Sequence, residues 1–275
     1  MKLLDFSRLP PDADLLVSPV YLAGTGDSSS ITTLLDNAEG WTKTAVEDRY
    51  SFSGPHETLG IVHLPDHLSG GWKITAEPSW MASFSRRTPA EIVLAFTTTL
   101  LNGLPSQHRD YLVGGPRYHP ATPATTLKER GWEPETTTRA HHQRSPDGYA
   151  ALSIRLGSPD FDAELAGEAP AQWAMHGGIP KVPELNWHAD FTRGTPLYLL
   201  TAATRALSTP TPVRRNVSDF PIGHLPYLDC AERAPSPRST AALNRTTAST
   251  PRPQQQPSPA APPHLSRYPA RHRDR

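Results

Sequence analysis

A chain of 275 residues has room for one large domain or two small ones. Its 27 basic residues balance 27 acidic ones, so net charge alone draws it neither to nucleic acid nor to an anionic membrane. A single cysteine, Cys230, excludes intrachain disulfides and cysteine-based zinc clusters and fits a reducing compartment. No apolar run approaches the roughly 20 residues of a membrane span, and the opening MKLLDFSRLPPDADLL lacks a secretory apolar core, so the expected location is the cytoplasm.

In chain order, Leu15 to Gly24 is an extended lead-in, and Ser28, Ser29 and Ser30 offer N-caps for a helix whose Ile31, Leu34, Leu35 and Ala38 share one face, ending at Gly40. Two strands follow, joined by a turn at Ser53-Gly54-Pro55. A third strand carries Trp72 and Ile74. A fourth carries Trp80, Ala82 and Phe84 on one face, because strand side chains alternate with period two. Thr88, Pro89 and Glu91 read as a capping box opening a helix with a buried stripe at Ile92, Val93, Phe96 and Leu100.

The order then returns. Trp187 to Pro196 repeats Trp80 to Pro89 with Trp, Ala, Phe, Arg, Thr and Pro identical, six of ten positions. Weaker matches precede it: Tyr111-Leu112 with Tyr21-Leu22, Thr125-Thr126-Leu127 with Thr32-Thr33-Leu34, Gly131-Trp132 with Gly40-Trp41, Leu152-Ser153-Ile154 with Leu59-Gly60-Ile61, and Trp173 with Trp72. In this second copy Pro120 and Pro123 delay the first helix, Ser145-Pro146-Asp147-Gly148 suits a type I turn, and Leu152, Ile154 and Leu156 alternate as a half-buried strand. The last helix keeps Thr195-Pro196 and the stripe Leu199, Leu200, Ala203 and Leu207, without a counterpart to Glu91.

The fold class that follows is α+β: two tandem copies of a helix, four-stranded antiparallel sheet, helix module, with the helices on one sheet face. The expected division is a lead-in at 1–14, modules at 15–105 and 106–208, a linker with a short apolar segment at 209–230, and a disordered tail at 231–275. Trp41, Trp72, Trp80, Phe84, Trp132, Trp173, Trp187 and Phe191 are the expected core aromatics, since a module of this size has few other large side chains.

On the opening Val17 to Asp27, the Gly-Trp helix end, the Ser145-Pro146-Asp147-Gly148 turn followed by Tyr149, and the stretch Trp80 to Ile92, the chain resembles the actinobacterial SPDY family, domain of unknown function 317. The resemblance covers roughly 15–208 and implies tandem copies of one domain. It carries no activity with it.

The chemistry-bearing candidates are sparse. Gly24-Thr25-Gly26-Asp27 is half of a dinucleotide fingerprint, lacking the third glycine and the downstream acid, and reads better as a turn needing positive φ. No P-loop, GxSxG or HExxH occurs. His63 and His67 are spaced for two ligands on a helix, with His56 nearby, but their segment alternates as a strand; His141 and His142 point to opposite faces of another. Asp160 and Asp162 share a loop unique to the second copy, too few oxygens for calcium. The expectation is therefore no cofactor, no metal and no catalytic residue. Arg86 and Arg193, each next to a helix start, are candidate anion contacts. They are weighed against the fact that 22 of the 27 basic residues are arginine, a ratio that GC-rich coding produces.

From Ala231 the chain carries eight arginines, two acids, nine prolines and three consecutive glutamines, a composition that cannot bury enough apolar surface to order itself. Arg267, Arg271, Arg273 and Arg275 are the nucleic-acid candidates there. The leading expectation is a non-enzymatic protein that binds another protein. The alternatives are nucleic-acid association through the tail, and a small-ligand binder or enzyme with a pocket between the modules; no membrane partner is expected.

Overall fold

The computed structural model describes residues 13–47, 49–55, 58–64, 71–113, 122–157, 160–217 and 221–232. Residues 1–12 and nearly all of the expected tail lie outside them.

The alternating stretches around Trp80 and Trp187 form strands β6 (Trp80–Ser85) and β11 (Trp187–Phe191). They pair antiparallel, with Phe84 opposite Ala189, Ser83 opposite Asp190, and Ala82 opposite Phe191. Since position 84 matches 191 and position 82 matches 189 in sequence, the first and third pairs are images of one another. A local twofold axis therefore runs between Ser83 and Asp190.

Four strands extend from this seam on each side: β5 (Gly71–Ala76), β4 (Leu59–Leu64), β3 (Arg49–Ser53) and β2 (Thr42–Val46) on one, and β10 (Trp173–Gly177), β9 (Ala150–Arg155), β8 (Ala140–Arg144) and β7 (Glu133–Thr136) on the other. The result is one ten-stranded antiparallel sheet, five strands from each half where four were expected. The missed strands are the two edges, β2 and β7. Every residue of both is exposed, so neither shows the alternation by which a half-buried strand is recognised.

Register also corrects the internal alignment. Ile61 lies opposite Ile74 and Leu152 opposite Met175, so Ile61 matches Leu152 and His63 matches Ile154, two residues from the pairing read in the sequence. Ile154 is accordingly half-buried near the strand end, and Leu156, expected on the core face, is 42% exposed.

Helices α1 (Ser29–Asp36) and α2 (Ala90–Val113) belong to the first half, and α3 (Pro123–Glu129), α4 (Phe161–Ala166) and α5 (Leu197–Leu207) to the second. Helices α2 and α5 pack side by side. Phe96 of α2 sits over the seam, its ring centroid 5.4 Å from Phe84 and 5.8 Å from Phe191, while Phe84 and Phe191 meet edge to face at 5.4 Å. Ala82 and Ala189, each facing a phenylalanine across the seam, leave room for those rings.

Helix starts differ from expectation. Ser28 is the N-cap residue of α1, as expected, but its side chain makes no capping bond; the Asp27 carboxylate supplies it, accepting from Ser29 N and Ser29 Oγ. Pro123, which delays α3 in the sequence, is its first residue, and Thr122 caps it by accepting from Thr125 N. The Tyr111-Leu112 pair, matched in sequence to Tyr21-Leu22 of the lead-in, ends α2 instead, a helix that runs through Pro105.

Hydrogen bonds cross the seam reciprocally. Met81 N donates to Thr192 Oγ1 at 2.9 Å, and its counterpart His188 N donates to Ser85 Oγ at 3.0 Å. Trp80 Nε1 donates to the Tyr111 carbonyl at 2.8 Å and Trp187 Nε1 to the Tyr21 carbonyl at 2.9 Å, so each indole is held by the tyrosine preceding the other half.

A second, three-stranded sheet places β1 (Asp14–Ser18) between β12 (Val213–Asn216) and β13 (Asp229–Glu232). The apolar segment near residue 225 thus folds onto the body, with Leu228 buried and Tyr227 edge-on to Tyr149 at 5.1 Å.

Because Phe191 is fully buried at the seam, Phe191→Ala should cost about 3–5 kcal/mol. With one sheet running through both halves, urea unfolding followed by tryptophan fluorescence and by far-ultraviolet dichroism should give coincident single transitions. Two separated transitions would contradict a shared core.

Candidate functional site

The glycine-rich loop before α1 is a cradle for an arginine. Gly24 and Gly26 adopt φ of 82° and 72°, and the Arg215 guanidinium from β12 lies against them. Arg215 Nε donates to the Ala23 carbonyl and Nη2 to the Gly24 carbonyl, while Nη1 and Nη2 hold the two oxygens of Glu91 at 2.6 and 2.8 Å. A Cβ at Gly26 would stand 2.7 Å from Arg215 Cζ. Glu91 therefore serves an ion pair and not a capping box, and the Ala90 N–H is taken by the Thr25 carbonyl. The sequence carried one hint of this: Glu91 has no counterpart in the second half, where Tyr198 stands at its place and stacks on Tyr111 at 5.7 Å. Nothing marked Arg215 among 22 arginines.

Beside this loop, on the side of Arg86, a pocket of about 410 Å³ opens between the starts of α1 and α2. Arg86, Ser28 and Thr88 line it with His63 and Trp72. The His63 ring lies 4.5 Å from Trp72, its Nδ1 is buried without a partner, and burial holds it below the ordinary histidine pKa, in the neutral form. Among the described residues, Arg86 has no ion-pair or hydrogen-bond partner.

A larger groove of about 730 Å³ lies between α1 and α2, walled by Trp41, Leu34, Leu94, Leu101 and Leu104. Its cause is a difference between the halves. Trp132, the counterpart of Trp41, is buried beneath Tyr21, which meets it edge-on at 5.9 Å. The Tyr21 hydroxyl donates to Asp147 Oδ2 at 2.7 Å, and Asp147 Oδ1 in turn accepts from Ser145 Oγ and Tyr149 N, so the Ser-Pro-Asp-Gly turn anchors that cover. Burial, then the Asp147 bond, pushes the Tyr21 phenol well above its ordinary pKa. Tyr111 holds the equivalent backbone place but turns its ring onto Gly103 and Tyr198. Trp41 is left half-buried.

Other candidates fall into structural roles. Trp72, Trp80, Trp187, Phe84 and Phe191 are buried, and Trp173 is half-buried against the core. Asp160 and Asp162 are not in a loop: Asp160 is the N-cap of α4, accepting from Asp162 N and Ala163 N. His141 and His142 bond Thr136 Oγ1 and Ser153 Oγ on opposite faces. Among the described residues, no group of three His, Cys, Asp or Glu is placed to hold a metal ion, and no helix is long and apolar enough to cross a membrane. His56, His67, Arg267, Arg271, Arg273 and Arg275 lie outside the described residues. Arg193 N donates to Glu164 Oε2 at 3.0 Å; that carboxylate, from α4, is 1% exposed and drew no notice in the sequence.

Residues 53–105 and 144–213 match the profile of the SPDY family, a domain of unknown function (DUF317). No curated protein and no solved structure matches the chain.

Arg215→Ala should strand Glu91 and the carbonyls of Ala23, Gly24 and Arg214, which its guanidinium also holds, and cost about 3–5 kcal/mol, measured by urea denaturation. Gly26→Ala should destabilise through both its φ and the approach to Arg215. Acid should act through buried histidine. The His224 ring is 2% exposed, with Nδ1 donating to the Leu22 carbonyl and Nε2 unpartnered, and it faces Arg87 and Glu184. Burial lowers its pKa, as it does for His63. The unfolded chain then binds more protons as pH drops below about 6.5, and stability falls with it. The Tm should decrease from about pH 7.5 to pH 5.5, and His224→Gln should flatten that slope; an unchanged slope would contradict the assignment.

Proposed function

We propose that the protein is a non-enzymatic interaction protein, two copies of one module fused through a common sheet, that takes up an apolar, aromatic-bearing peptide segment of a partner beside Trp41. The observation that carries this reading is the uncovered indole. In one half a tryptophan is sealed by a tyrosine from the chain; in the other, the equivalent tryptophan walls an apolar groove from which the equivalent tyrosine has turned away. The chemistry that seals Trp132 defines what would suit Trp41: a ring meeting the indole edge-on, flanked by small aliphatic groups, as Val20 and Leu22 flank Tyr21.

Further support is the chemistry of the groove wall. Its apolar side is Leu34, Leu94, Leu101 and Leu104, and Glu39 is the one ionisable residue among the described lining, so no acid–base pair faces the groove, which favours recognition over catalysis. Two segments matching one family profile, and the recurrence of helix, five strands, helix along the chain, support duplication as the origin of the two halves.

Selection of displayed random peptides on the full chain should enrich sequences carrying Phe, Tyr or Trp next to Leu or Val. Their binding should fall about tenfold or more on Trp41→Ala or Leu101→Asp. Enrichment that survives both substitutions, or an absence of any enriched sequence, would overturn the reading.

A further inference from the structure

The groove beside Trp41 runs along α1, past Ser30 and Ala38, before it reaches the indole. Ser30 also lines a smaller cavity at the start of α1, together with Arg214 and Asn216 of β12. Asn216 is the strand partner of Asp14, the first residue of β1, and Arg214 pairs with the Asp14 carboxylate. The chain ahead of β1 therefore joins the body one cavity away from the groove.

That leading stretch has the chemistry the groove asks for. Met1 to Leu9 reads MKLLDFSRL, a single phenylalanine among three leucines. Phe6 offers a ring, Leu4 and Leu9 aliphatic flanks, and Arg8 a cation for Glu39 on the groove wall. Reach is sufficient. Phe6 precedes Asp14 by eight residues, about 26–29 Å of extended chain, whereas α1 rises only about 1.5 Å per residue along the groove. The tail after β13 begins as close, since Glu232 lies opposite Leu15. Its one aromatic residue of the Phe, Tyr or Trp type, Tyr268, is 36 residues beyond Glu232. Effective concentration falls roughly as the −3/2 power of tether length, which places Tyr268 at about a tenfold disadvantage to Phe6.

We propose that residues 3–9 of this chain occupy the groove, the Phe6 ring meeting Trp41 as Tyr21 meets Trp132, and compete there with the partner's segment. The proposal rests on the reading of the groove as a site for an aromatic-bearing peptide and adds its regulation: a partner has to displace the chain's own segment. Tyr21, just after β1, seals one tryptophan; Phe6, just before β1, seals the other. The seal need not be strong. A short tether holds a segment at roughly millimolar effective concentration, so an intrinsic Kd of about 0.1 mM keeps it about nine-tenths docked and weakens a competitor about tenfold.

The test compares the full chain with its Phe6→Ser form, reading the Trp41 indole N–H in proton–nitrogen spectra assigned with Trp41→Phe. Phe6→Ser should move that signal, and a synthetic peptide of residues 1–12 added to the Phe6→Ser protein should return it towards the original position. An aromatic-bearing peptide selected on the chain should bind the Phe6→Ser protein about tenfold more tightly. An unmoved indole signal, failure of the 1–12 peptide to bind, or a shift produced by Tyr268→Ser instead would each overturn the proposal. Selected peptides that bind both proteins equally, and lose binding on Trp41→Ala, would remove the internal occupant while leaving the groove a peptide site.

Discussion

Two strands meeting in one register, with Ser83 opposite Asp190, set the geometry of the whole molecule. A slip of a single residue would turn Trp80, Phe84, Trp187 and Phe191 away from α2 and α5 and present their polar neighbours instead. The pairing is therefore enforced by burial as much as by ladder hydrogen bonds. On the axis itself a residue faces its own counterpart, so two aspartates there would set like charges directly opposite each other. Ser83 avoids that. Burial still raises the pKa of the Asp190 carboxyl, with nearby His188 opposing the shift.

Around this axis the halves agree where the core is built and diverge at their rims. The tryptophan-to-tyrosine carbonyl bonds and the crossing threonine and serine bonds occur in both directions. Outside them, Glu91 and Tyr198, Trp41 and Trp132, and Arg86 and Arg193 are equivalent positions with unlike surroundings. Each half serves as a comparison for the other: at equivalent positions it shows a contact that one half makes and the other does not.

Core aromatics and the strands nearest the seam were legible because they alternate, and the repeated Trp-x-Ala-x-Phe stretch located the two central strands before any geometry was known. The edge strands β2 and β7 were not, since wholly exposed residues leave no periodic signal. Nor were long-range polar pairings. Arg215 lies 124 residues from Glu91, and Glu164 lies 29 from Arg193; composition and spacing do not encode such partners. The capping box at Glu91 failed for a related reason, because a distant arginine claimed its carboxylate, and at Ser28 the N-cap position was right while the capping bond came from the neighbouring aspartate. The groove at Trp41 rests on a side-chain orientation, that of Tyr111, which no linear pattern contains.

The two outermost strands end the sheet in different ways. Pro134 in β7 has no N–H to offer a further strand, and Glu135 beside it is tied to Arg144. Strand β2 carries Lys43, whose ammonium reaches Asp36 at 2.9 Å. A proline and placed charges at sheet margins resist end-to-end polymerisation. A broad β structure with two open borders is thereby kept from lengthening itself by adding strands of further copies.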